Sequence, residues 1–93
     1  MEAIQRKSGD WIILNEETGD QYRVDVKYLK NEKQDLIKAN SDIATVAASN
    51  PKLLAWAQNA YASQTESRVL SNNKRIAMIN LLLAAIVDAG GNI

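Results

Sequence analysis

The sequence predicts an α+β fold: an N-terminal antiparallel β-hairpin or three-stranded meander packed on three to four C-terminal helices. Three observations carry that expectation. Trp11–Leu14 is rich in β-branched and aromatic side chains, and Gln21–Tyr28 alternates with a period of two. Asn50-Pro51 is a strong helix-start signal in the middle of the chain. From Ile76 to Val87 only Asn80 is polar, and Gly90-Gly91 follows as a helix stop.

At 93 residues the chain is expected to form one domain, residues 2–29 being the sheet part and 30–91 the helical part. Its core is modest, since so short a chain buries roughly 60–65% of its unfolded surface. Within the sheet part, Glu2–Lys7 opens a strand around Ile4, and Ser8-Gly9-Asp10 is a turn signal. Trp11–Leu14 reads as a strand buried on both faces or nearly so. The polar run Asn15–Asp20 turns the chain, with Gly19 available for positive φ. Tyr22, Val24, Val26 and Tyr28 then alternate with Gln21, Arg23, Asp25 and Lys27, which puts the first set on a buried face.

Helix is expected from about Lys30, where Asn31 and Gln34 resemble a capping box. Leu36, Ile43 and Ala47 share one side at helical spacing, and Asn40-Ser41-Asp42 is cap-like enough to divide the segment in two. A further helix should run from Pro51 to about Gln64, and Ser71-Asn72-Asn73 should break and cap the last one. On a wheel at 100° per residue, Ile76, Ile79, Leu82, Leu83, Ile86 and Val87 gather on one face of that last helix. The back face carries Lys74, Ala77, Met78, Leu81, Ala84, Ala85 and Asp88, and is apolar enough to imply a second burial partner. Asn80 borders the strong face. An internal hydrogen bond is the expected use of its amide, ahead of a register role between helices.

Composition narrows the function classes. Eleven basic residues balance eleven acidic ones, so no net charge points to nucleic acid or to an anionic membrane. The chain has no Cys, which removes disulfide and thiolate chemistry, and no His, the commonest general base near neutral pH. It shows no Gly-rich phosphate loop and no nucleophile elbow, and a non-enzymatic protein without cofactor is expected. The loop Asn15–Asp20 holds acids but misses the spacing of a calcium loop, so no metal is expected either. The apolar run Ile76–Val87 is well short of the ~20 residues needed to span a bilayer. With no signal-peptide core at the N-terminus, a soluble cytoplasmic protein is the expectation.

Two function hypotheses follow. The first is a structural or interaction protein that self-associates or joins a complex through an apolar helix surface, with Trp56, Met78, Leu81 and Ala85 as interface candidates. A small component of a phage or bacterial assembly would fit this profile. The alternative is a helix-turn-helix regulator of nucleic acid using residues 42–59, with Ala47 where the helices touch. Its contacts would come from Lys52, Gln58 and Asn59, aided by Arg68, Lys74 and Arg75. The positions that would read base edges are mostly Leu, Ala and Trp, and the basic groups are interspersed with acids, which favours plain helical packing.

Overall fold

The alternation that starts at Tyr22 stops at Val24, because Asp25 caps a helix. In the computed structural model, which describes residues 1–48 and 55–93 (side chains of 1–44 and 64–93), β3 spans Gln21–Val24 and α1 begins at Val26. The Asp25 carboxylate accepts a hydrogen bond from the Tyr28 backbone N–H at 3.1 Å, and the Asp25 carbonyl accepts from Leu29 N–H at 3.0 Å. That is the geometry of an N-cap, with the side chain satisfying a donor of the first turn. The helix therefore starts before the expected Lys30. Val26 still packs against the core, but Tyr28 stands 67% exposed instead of lining a strand.

β1 (Glu2–Gln5), β2 (Trp11–Leu14) and β3 form an antiparallel meander in the order β1-β2-β3. Ala3 and Tyr22 lie opposite Ile13, and Val24 lies opposite Trp11. Period-two geometry puts these residues on one face, and that face covers the core. Trp11 and Ile13 are buried there, with Ala3, Tyr22 and Val24 packed beside them. Ile12 and Leu14, on the other face, are half-buried. Gly9 and Gly19 both take positive φ in the two turns, as a tight reversal requires.

Among the described residues the helical part holds two helices, not three or four: α1 (Val26–Ala48) and α2 (Ala55–Asp88). Neither Asn40-Ser41-Asp42 nor Ser71-Asn72-Asn73 interrupts its helix. The expected start at Asn50-Pro51 lies outside the described residues. The reason for the missing breaks is long-range pairing. Asn40 Nδ2 donates to Asn73 Oδ1 at 3.0 Å, and Asn72 Nδ2 donates to Asn40 Oδ1 at 2.9 Å. Lower down, Arg75 grips Glu32 through two bonds, Nε–Oε1 at 2.7 Å and Nη2–Oε2 at 3.1 Å. The later residue of α1, Asn40, meets the earlier Asn72 and Asn73 of α2, and the earlier Glu32 meets the later Arg75, so the helices run antiparallel.

Burial along α2 shows the kind of packing. Between Thr65 and Ile76 the residues not fully exposed are Thr65, Val69, Asn72 and Ile76, and Ile79, Leu83 and Ile86 continue the row as buried residues. Steps alternate between four and three, the spacing of a coiled-coil seam. On α1, Leu29, Leu36, Asn40 and Ile43 answer with the same rhythm, Leu29 being buried and the others half-buried. The asparagine clasp sits within this seam.

The core lies at one end of the helical hairpin, where the sheet meets the C-terminal half of α2. Its buried members are Trp11, Ile13, Leu29, Ile79, Leu82, Leu83, Ala85 and Ile86. α2 ends in two hydrogen bonds, Gly91 N–H to the Ile86 carbonyl at 2.8 Å and Gly90 N–H to the Val87 carbonyl at 2.9 Å. With Gly90 at φ 89°, this is a Schellman closure. The 34 residues of α2 make a rod about 51 Å long, which sets the longest dimension of 55 Å.

Candidate functional site

α2 is flanked by two neighbours, α1 along the seam and β1 and β2 over its sheet side. On the wheel, Ile76, Ile79 and Leu83 point toward α1, while Met78, Leu82 and Ala85 turn toward the sheet. Ala85 is accordingly 6% exposed within the core, and Met78 is half-buried against it. The remaining side faces outward. It carries Leu70, Lys74, Ala77, Leu81, Ala84 and Asp88, all exposed, again at alternating steps of four and three. Leu70 and Leu81 are 57% and 56% exposed.

The structure therefore separates the three described residues of the four expected to form an interface. Leu81 stands on the outer face, Met78 and Ala85 belong to the sheet side, and the Trp56 side chain lies outside the described residues. Asn80, expected to bond internally, is exposed, because its direction from the axis of α2 matches neither neighbour. Val87 likewise leaves the strong face and is 47% exposed. Leu70 is the residue that sequence reasoning left off this face, and Ala77 and Ala84, though placed on it, were not among the interface candidates. The 70-74-77-81-84-88 row was present in the sequence, but an assumed break at Ser71–Asn73 cut Leu70 away from it.

The nucleic-acid candidates are also divided. Lys52 and the side chains of Gln58 and Asn59 lie outside the described residues. Arg68 and Lys74 are exposed on α2, while Arg75 is held by Glu32. That hydrogen-bonded pair pushes the Arg75 pKa up and pulls the Glu32 carboxyl down. Asp42, where a short first helix was expected to begin, lies inside the long α1.

A second charged cluster sits at the hairpin turn. The Asp10 carboxylate accepts from the Ser8 hydroxyl and from Arg23 Nε at 2.7 Å, with Arg6 Nη1 at 3.5 Å. The Ser8 and Arg23 bonds hold its pKa down at about 2. Both carboxyls with a displaced pKa are thus displaced toward the ionised form, which suits an ion pair and not a general acid. Two open clefts flank these groups. One, of about 440 Å³, lies between Trp11, Lys27, Lys30 and Asn92, and the other, of about 370 Å³, between Arg23, Tyr28 and Arg75. Among the described residues, no group of three or more acids is placed to hold a metal ion, and no helix is long and apolar enough to cross a membrane.

Comparison with known proteins adds no guide to this site. Scans against protein-family models, curated proteins and solved structures found no match. The site rests on its own geometry: an exposed, mostly apolar row on a helix that packs against α1 and the sheet on other sides. An apolar groove of about 320 Å³ between Thr65, Val69, Leu70 and Asn73 extends it toward the seam.

Proposed function

We propose that this is a non-enzymatic interaction protein that works by presenting the outer face of α2 to a protein partner, in the cytoplasm and within a larger assembly. One observation carries the proposal. Leu70 and Leu81 are each more than half exposed on the same helix row, with only small or single charged residues between them. Among the described residues, neither leucine belongs to the buried core. Exposed leucines aligned on a rigid helix mark a surface that another helix can cover.

The test is site-specific photo-crosslinking in the producing cell. A photo-reactive residue at position 81 should yield a discrete protein adduct, whereas one at Lys38, exposed on α1, should not. Equal or absent labelling at the two positions would count against the proposal. The nucleic-acid alternative would draw on exposed Arg68 and Lys74. It predicts duplex binding that weakens steeply with salt, and no binding at low salt would eliminate it.

A further inference from the structure

Taking the outer face of α2 as the interaction surface, as proposed above, we infer that its occupant is a second copy of this chain, packed antiparallel about a two-fold axis beside Leu81. The row is self-complementary in charge. Between Leu70 and Asp88 the charged residues of α2 are Lys74, Arg75 and Asp88, and Arg75 is engaged by Glu32 on α1. Lys74 and Asp88 lie two turns from Leu81 on opposite sides, at equal distance along the helix. A two-fold axis at Leu81 therefore sets each Lys74 against Asp88 of the other copy, forming two ion pairs per dimer. A parallel arrangement would place Lys74 on Lys74 and Asp88 on Asp88.

Size follows the same symmetry. Ala77 and Ala84 flank Leu81 at about one turn on either side, both exposed. In the antiparallel dimer each Ala77 faces the neighbourhood of Ala84 in the partner. Small residues there let the two axes approach within the 8–10 Å of packed helices while the two Leu81 side chains meet at the centre. An isologous contact of this kind closes on itself and gives a dimer, not a filament. Joined through the C-terminal part of α2, the two helical hairpins extend in opposite directions from an axis beside which both sheets lie.

The experiment is sedimentation equilibrium on the whole chain over a range up to submillimolar concentration. The wild type should reach twice its 10.3 kDa mass. Leu81→Glu should weaken the dimer by about a hundredfold or more, as charge at the centre of an interface does. Because Leu81 is exposed in the monomer, the variant keeps its helical circular dichroism. Lys74→Glu and Asp88→Lys should each weaken the dimer by about tenfold, since one substitution disturbs both pairs. The double variant Lys74→Glu/Asp88→Lys should recover most of the loss. A wild type that stays monomeric throughout, or a double variant no better than the single ones, overturns the antiparallel dimer. If position 81 still crosslinks to a foreign protein while the chain is monomeric, the dimer fails and the interaction surface stands. If neither dimer nor adduct forms, both fall.

Discussion

Replacing Asn40 by Ala tests the helical hairpin at its most specific contact. Asn40 accepts from Asn72 at 2.9 Å and donates to Asn73 at 3.0 Å. Asn73 is exposed, so water replaces its lost bond at little cost. Asn72 is half-buried in the seam, and its amide is left short of a partner. A net hydrogen bond plus that shortfall costs about 1–2 kcal/mol. Ala returns roughly 0.6 kcal/mol through its higher helix propensity. The expected net loss is about 1 kcal/mol, which corresponds to a fall in Tm of about 4–8 °C for a domain of this size. Urea titration followed by helical circular dichroism measures it, and a double-mutant cycle with Asn72→Ala isolates the pair. A coupling energy below ~0.3 kcal/mol, the level at which unconnected sites add, would refute the clasp. The paired change Asn40→Leu/Asn72→Leu should do the opposite. It raises stability by adding apolar area to the seam, yet loosens register, as removing a lone polar seam residue does in coiled coils. Doubled amide resonances in an NMR spectrum would report the loosening.

Other outcomes follow from the core and the ion pairs. A Cβ added at Gly91 would lie 2.5 Å from Ile86 Cγ2 and 2.6 Å from the Trp11 ring, so Gly91→Ala should cost about 1–3 kcal/mol and alter Trp11 fluorescence. Ile13 has no solvent exposure, and Ile13→Ala should cost about 2–5 kcal/mol in the same urea titration. Arg75 lowers the folded-state pKa of Glu32, so this pair stabilises fully above the unfolded carboxyl value and loses its effect as pH falls through the lowered one. Because the Arg75 side chain is 42% exposed, the pair contributes about 0.5–1 kcal/mol at neutral pH. Glu32→Gln should show that deficit near pH 7 and converge on wild type in acid. Asp10 behaves likewise, its contribution disappearing only toward about pH 2.

Much of the sheet was legible because its signals are local. The period of two, the glycines of both turns and the β-branched run at Trp11–Leu14 act within a few residues of one another. The strand after Tyr22 was read too long for the same reason. Alternation continues through Val26 and Tyr28, and only the Asp25 cap shows that the backbone has already turned helical. The helices were divided wrongly because Asn has one chemistry and two uses. Its amide satisfies a helix end or a partner across a seam, and Asn40 and Asn72 are recognisable as partners only once α1 and α2 lie side by side. The same missing information blurred the site. The last helix was read as apolar nearly all round, but the core takes Ala85 and draws Met78 against it. Among the described candidates Leu81 alone remains on the outside, and Leu70 joins it once α2 is seen to be continuous.

The central claim, that the outer face of α2 around Leu81 is where a second copy docks, is tested most directly by disulfide trapping. The chain contains no Cys, so a single introduced thiol reports one position without background. Leu81→Cys should form a covalent dimer rapidly under mild oxidation, far ahead of Lys38→Cys on the exposed side of α1. Trapping at 81 no faster than at 38 would contradict the account.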